Sequence, residues 1–261
     1  MTKPPSFLKL QNPIRSLAYR YTPPKKKTPL TIVYLYGFRS DMNGDKVLYL
    51  ESLCKKEGLG FLAFDYSGHG NSSGKFEEGT ISRWFLDSLD MIDHFVKTPV
   101  ILVGSSMGGW LAHLVALQRP QIVKGLLGIA SAPDFTDELM WKRFSYKQQT
   151  ELINKGKTVI ATEYNLKGWT ITKKLIEDGR KHRLLGKTIK LNIPIRLLHG
   201  TKDANVPITY SYQLLDLHTT SNIAVTLIKS GDHRLSRKED LIILGHTLQE
   251  LIETYLLTKE E

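Results

Sequence analysis

The sequence predicts an α/β fold: a mostly parallel central sheet with helices on both faces and one inserted helical cap. Two observations carry this expectation. From Leu30 onward, short apolar runs rich in β-branched residues alternate with stretches of helical periodicity, and most of the runs end in turn-forming residues. One stretch, residues 134–190, breaks the alternation before it resumes. Alternation of this length implies parallel strands joined by helical crossovers. At 261 residues the chain is long enough for one large domain with a well-buried core. The expected division is a core of residues 1–133 and 191–261, with 134–190 as the cap.

The elements follow in order. Phe7-Leu8-Lys9-Leu10 and Ser16 to Tyr21 alternate at strand period around a turn at Asn12-Pro13, predicting an opening antiparallel hairpin. Leu30 to Leu35 reads as a central strand running into Tyr36-Gly37-Phe38, and Lys46 to Glu57 as a helix closed by Gly58. Gly60 to Phe64 is the next strand, ending in Asp65-Tyr66-Ser67-Gly68-His69-Gly70-Asn71-Ser72. Thr80 to Val96 places Trp84, Phe85, Leu89, Ile92 and Phe95 on one helical face. Val100 to Val103 is a buried strand, and a helix after it ends near Arg119-Pro120. Val123 to Ala130 is a strand leaving through Ser131-Ala132-Pro133-Asp134. The cap is rich in Trp, Tyr, Lys and Arg and reads as helices rather than strands. Beyond it come a strand from Ile193 to Leu198, a helix from Pro207 to about Leu217, a strand from Ile223 to Ile228, and a last helix from Lys238 to about Leu257.

Composition narrows the classes. With 41% hydrophobic and 24% charged residues the chain reads as an ordinary globular protein. No apolar run approaches the roughly 18 residues of a membrane helix, so integral membrane association is not expected. The single cysteine, Cys54, has no intrachain disulfide partner and reads as a buried spectator. The net charge of +10 is spread out apart from Lys25-Lys26-Lys27, which sits between prolines and reads as a solvated turn. No recognition helix, zinc spacing or ribonucleoprotein-type aromatic motif accompanies it, so nucleic acid is not an expected partner. Residues 1–40 hold eight Lys/Arg and no acidic residue, the bias of a mitochondrial transit peptide, but their strand-period alternation fits a hairpin better. The expected location is cytoplasmic, with the mitochondrial matrix as the alternative. Residues 134–200 hold fourteen Lys/Arg against seven Asp/Glu, which would concentrate positive charge near a pocket and favour substrates with an acidic leaving group.

Gly104-Ser105-Ser106-Met107-Gly108 sits where the Val100 strand turns into a helix. In G-x-S-x-G at such a turn the middle serine is held in a strained conformation that exposes its hydroxyl. Ser106 is in frame and Ser105 is not. A serine hydroxyl needs a base to remove its proton, and the base needs a carboxylate to fix its tautomer. In parallel sheets such groups gather at the carboxyl ends of strands. Asp203 and His233 lie at two later strand ends, in the order serine, acid, histidine expected of an α/β-hydrolase. Asp232 is the rival acid, but as the sequence neighbour of His233 it is expected to point elsewhere. His94, His113, His218 and His246 lie in helical patterns, His69 and His199 in loop motifs, and His182 in the cap; only His233 follows the last strand. The amides of Phe38 and Met107 are the expected oxyanion donors. Nothing resembles HExxH or clustered Cys/His, and neither a phosphate loop nor a dinucleotide fingerprint is present, so no metal or cofactor is expected.

Gly104 to Trp110, Asp65 to Ser72, Ser40-Asp41-Met42-Asn43-Gly44, Arg196 to Asp203 with Val206-Pro207, and Asp232-His233-Arg234 closely resemble one α/β-hydrolase group. That group comprises the mitochondrial palmitoyl-protein thioesterases, also described as acyl-glucuronide esterases, and their bacterial relatives. The resemblance runs from about Leu30 to the last helix and is weakest in the cap. It implies a serine hydrolase of thioesters or carboxylic esters, with Ser106, Asp203 and His233 as triad and a small ester, an acyl thioester or an acylated protein as substrate. Many α/β-hydrolases carry His-Gly where this chain has Tyr36-Gly37, so hydrogen bonding in that loop must differ. An acyltransferase or peptidase would use the same triad, and a non-catalytic binding protein of this fold is the alternative from another class.

Overall fold

The computed structural model describes residues 4–25, 29–162 and 165–257. Lys26 and Lys27 of the predicted basic turn lie outside them. The chain opens with an antiparallel hairpin of β1 (Ser6–Gln11) and β2 (Ile14–Thr22), as its alternation predicts. Then follow β3 (Thr31–Leu35), α1 (Asp45–Glu57), β4 (Gly60–Phe64), α2 (Ile81–Phe95), β5 (Val100–Ser105), α3 (Met107–Gln118) and β6 (Val123–Ile129). After the interruption come β9 (Ile195–Gly200), α6 (Thr209–Leu217), β10 (Ile223–Ile228) and α7 (Lys238–Leu257). Strand β9 begins at Ile195 rather than Ile193. Pro194 has no amide to give the ladder, although its carbonyl accepts from Leu126 at 3.1 Å.

The eight-stranded sheet runs β1-β2-β4-β3-β5-β6-β9-β10. Strand β2 pairs antiparallel with β1 and β4, and all the later pairings are parallel. Every residue of β3, β4 and β5 is buried, because helices cover both faces and leave no solvent side for polar residues. The crossover through α1 steps one way along the sheet and the crossover through α3 steps the other. With both right-handed, the two helices fall on opposite faces. The six parallel strands therefore send their carboxyl ends, and the loops that follow, to one edge.

The insert differs from the helices expected of it. It starts with an irregular helical turn at Thr136–Met140 and continues as α4 (Tyr146–Lys155), whose first turn is closed by a reciprocal Ser145–Gln148 capping box. Strands β7 (Lys157–Thr162) and β8 (Asn165–Thr172) then form a separate antiparallel pair before α5 (Lys173–Gly179). Val159 is exposed and its neighbour Ile160 faces the pocket described below. The alternation is real but too short to stand out in so basic a stretch.

Candidate active site

Ser106 lies between β5 and α3 with φ 56° and ψ −119°, a strained conformation for a residue with a Cβ. Three hydrogen bonds hold it: Ser106 N–H donates to Ile129 C=O at 2.9 Å, and its carbonyl accepts from Gly109 at 2.9 Å and Ala132 at 3.1 Å. The turn also needs a glycine at 108, since a Cβ there would sit 1.9 Å from the Leu35 carbonyl oxygen. Ser105 is the last residue of β5, inside the strand rather than at the turn.

His233 Nε2 is 3.0 Å from Ser106 Oγ, and His233 Nδ1 is 2.7 Å from Asp203 Oδ2. The three residues read from separate strand ends are thus one hydrogen-bonded chain. The loops that carry Asp203 and His233 are stitched together: Thr201 N–H donates to Ile228 C=O at 2.9 Å and Lys202 N–H to Gly231 C=O at 2.8 Å. Asp203 Oδ1 accepts from the amides of Asn205 and Val206, both at 2.9 Å. Burial opposes its ionisation, but bonds from His199, His233 and the Val206 amide outweigh that and hold its carboxyl below the usual range. Asp232 does point elsewhere, for its Oδ1 caps its own loop through the amides of Arg234 at 3.0 Å and Leu235 at 2.9 Å.

The Tyr36-Gly37-Phe38 loop passes so close to the serine that a Cβ on Gly37 would lie 3.1 Å from Ser106 Cβ. Among the described residues the Phe38 amide has no hydrogen-bond acceptor. Met107 opens α3, where the first amides have no intrahelical acceptor. The Phe38 ring packs edge-on against Phe76, Trp84, Phe135 and Trp169, which fixes the backbone behind it. In place of the imidazole common at position 36, the Tyr36 hydroxyl accepts from Tyr66 N–H at 2.9 Å and donates to Asp65 Oδ1 at 3.3 Å. Asp65 is fully buried and also takes the amides of Met42 at 2.9 Å and Asn71 at 2.8 Å. Burial shifts its carboxyl upward, and these bonds oppose the shift. One carboxylate thereby ties the Ser40-to-Gly44 motif to the Asp65-to-Ser72 motif. Sequence reasoning gave Asp65 no role, although two motifs with nothing else in common both converge on it.

A cavity of about 550 Å³ opens over Ser106 and His233. Its apolar wall is largely supplied by the insert, through Phe135, Leu139, Met140, Ile160 and Trp169. Arg39, Lys46, Arg143 and Arg234 line it together with Asp41 and Asp45. Burial lowers the Lys46 amine to about 8 against the pull of nearby carboxylates, and Lys46 donates to the Arg234 carbonyl and to Ser236. Much of the insert's positive charge is spent internally: Arg180 bonds Asp137 at 2.9 Å, Arg183 bonds Glu138 at 3.0 Å, and Lys142 bonds Glu138 at 2.6 Å. His69 donates from Nδ1 to the Ser67 carbonyl at 3.4 Å and accepts the Arg39 amide at 3.3 Å, a structural role, and burial lowers it to about 4. Among the described residues no group of side chains is arranged to hold a metal ion, and no helix is long and apolar enough to cross a membrane.

The serine aminopeptidase S33 family of hydrolases matches residues 49–187, just over half of the chain. The chain is 39% identical over 249 residues to the mitochondrial palmitoyl-protein thioesterase ABHD10 of Mus musculus, covering 95% of this chain and 82% of that one. The chain belongs to the α/β-hydrolase family. As a member it is an enzyme, a serine hydrolase. The Bos taurus ABHD10 is 38% identical over 239 residues, covering 91% of this chain and 77% of that protein. The solved structure of the mouse α/β-hydrolase domain-containing protein 10 superposes with a TM-score of 0.86 at 37% identity, covering 96% of this chain and 98% of that one. A protein of known structure from Agrobacterium vitis S4 gives 0.91 at 35% identity, covering 96% and 100%. These matches agree with the resemblance read from the motifs. They lend no support to the cytoplasmic location expected from the sequence, since the ABHD10 relatives are mitochondrial by name.

Proposed function

We propose that the chain hydrolyses acyl thioesters and carboxylic esters through a covalent acyl-serine intermediate, with Ser106, His233 and Asp203 as its triad. The observation that carries this is the continuous Ser106–His233–Asp203 contact at 3.0 and 2.7 Å on the floor of an apolar-walled cavity. Ser106 Oγ attacks the acyl carbon as His233 Nε2 takes its proton, and Asp203 stabilises the imidazolium through Nδ1. The amides of Phe38 and Met107 bear the oxyanion. Collapse expels a thiol or alcohol that receives the proton from His233. A water, deprotonated in turn by His233, then frees the acid and restores Ser106.

The residues between β6 and β9 act as a cap whose apolar side chains receive the acyl group. The ABHD10 relatives carry the name thioesterase, which favours acyl thioesters, including acylated proteins, over peptides. Four cations against two carboxylates around the cavity favour a leaving group that carries negative charge. The mitochondrial alternative is the compartment these relatives support. The test is turnover of matched acyl thioesters, neutral oxyesters, anionic oxyesters and an aminoacyl amide at low salt, with Ser106→Ala as control. Thioester and ester turnover that vanishes in Ser106→Ala is expected, with the anionic ester preferred over the neutral one. Hydrolysis of the amide alone, or activity that survives in Ser106→Ala, would overturn the reading.

A further inference from the structure

Asp203 touches two imidazoles, and the triad accounts for only one. His199 is the penultimate residue of β9, with its side chain fully buried. Its Nε2 lies 3.0 Å from the Val206 carbonyl oxygen, which only accepts, so Nε2 carries the proton. The same N–H faces Asp203 Oδ2 at 3.3 Å. On the far side of the ring, Nδ1 lies 2.7 Å from the hydroxyl of Ser211, a buried residue of α6. The ring is therefore held from both sides, with its Nε2–H facing the carboxylate.

A histidine serving only the core would be satisfied by Ser211 and Val206 alone. Here the N–H that meets Val206 also meets the oxygen that receives His233 Nδ1 at 2.7 Å. The Asp203 side chain is 1% exposed, so no bulk water stands ready to replace a lost donor. Its Oδ1 is fixed by the two amides of its own loop; its Oδ2 is bonded by His233 and approached by His199 Nε2 at 3.3 Å, the two titratable groups in contact with it. His199 also grips that loop at both ends, at the Asp203 carboxylate and the Val206 carbonyl, so the ring sets the angle at which Oδ2 meets His233.

We infer that His199 is a positioning residue for the reaction: it holds the Asp203 carboxylate ionised and turned toward His233, with Ser211 fixing its tautomer. This rests on the triad reading above. The test compares wild type with His199→Phe, which keeps a ring without the donor, and His199→Gln, whose amide N–H reaches toward the place of Nε2–H. The readouts are kcat and KM on a chromogenic acyl ester and the rate of fluorophosphonate labelling at Ser106. His199→Phe is expected to lower kcat and the labelling rate about ten- to hundredfold, the rate equivalent of one hydrogen bond to a charged group, with KM within about twofold. His199→Gln is expected to recover to within about fivefold of wild type.

Nitrogen-15 spectra of the wild-type histidines decide the matter if His199→Phe does not fold. A neutral His199 protonated at Nε2, whose N–H resonance moves at the titration midpoint of His233, is expected. Wild-type rates in His199→Phe, a His199→Gln as slow as the Phe variant, or a His199 protonated at Nδ1 or indifferent to His233 would overturn the inference. A wild-type enzyme that does not label at Ser106 would instead refute the triad reading.

Discussion

Replacing Tyr36 by phenylalanine removes one oxygen from the junction between the loops after β3 and β4. That oxygen accepts the Tyr66 amide at 2.9 Å and donates to Asp65 at 3.3 Å, in a region where Tyr36, Asp65 and Tyr66 are all 2% exposed or less. The Tyr66 amide is then buried without an acceptor, a cost of about 1–3 kcal/mol. The bond to Asp65 is long, so its loss adds about 1 kcal/mol, because the Met42 and Asn71 amides still hold the carboxylate. The sum of about 2–4 kcal/mol corresponds to a fall in Tm of about 4–8 °C for a domain of this size. The same loop carries Phe38, so loosening it displaces the proposed oxyanion donor and is expected to slow the labelling of Ser106 about tenfold or more. Thermal unfolding followed by circular dichroism, together with the fluorophosphonate labelling rate, measures both effects. A Tm within 1 °C of wild type and an unchanged labelling rate would refute the claim that Tyr36 organises this loop in place of an imidazole.

Gly108→Ala is expected to slow Ser106 labelling at least hundredfold, because its Cβ would meet the Leu35 carbonyl at 1.9 Å; Gly44→Ala, with nothing within 4 Å, should label within about twofold of wild type. Comparing the two labelling rates tests whether the close approach of α3 to β3 matters. Burial lowers His69 and His113 to about 4 and His218 to about 3, whereas in the unfolded chain they titrate near 6.5. Folded values below unfolded ones mean that this stability is complete above about pH 6.5 and is lost as pH falls toward the folded values. Each histidine costs about 1.4 kcal/mol per pH unit below 6.5, so the three together should lower Tm by about 8 °C between pH 7.5 and 5.5. A fall of less than 2 °C over that interval would contradict the assignment of these three as buried neutral rings.

The strands were legible where burial is two-sided. Residues 31–35, 60–64 and 100–103 are continuous apolar runs because helices cover both faces of the sheet there. The proximity of Ser106, Asp203 and His233 was legible because each stands at a strand end in an order that parallel topology brings to one edge. The hairpin of β7 and β8 was hidden because one of its faces is exposed and the pair joins no larger sheet, so its periodicity is short. Why Asp232 points away from His233 is visible only in the loop, where it spends an oxygen on two amides of its own turn. Asp65 and His199 could not be read at all. An aspartate after a strand, or a histidine near a strand's end, looks like any turn or core residue until the chain brings Met42, Asn71 and Tyr36 to the one, and Asp203 and Ser211 to the other.

The most direct measurement of the central claim is intact-mass analysis of the protein after treatment with a fluorophosphonate, with the modified peptide sequenced. One adduct per chain on Ser106 is expected, absent from Ser106→Ala and formed at least about a thousandfold more slowly in His233→Ala. An adduct on another residue, or equal labelling of Ser106→Ala and wild type, would contradict the assignment of Ser106 as a nucleophile activated by His233.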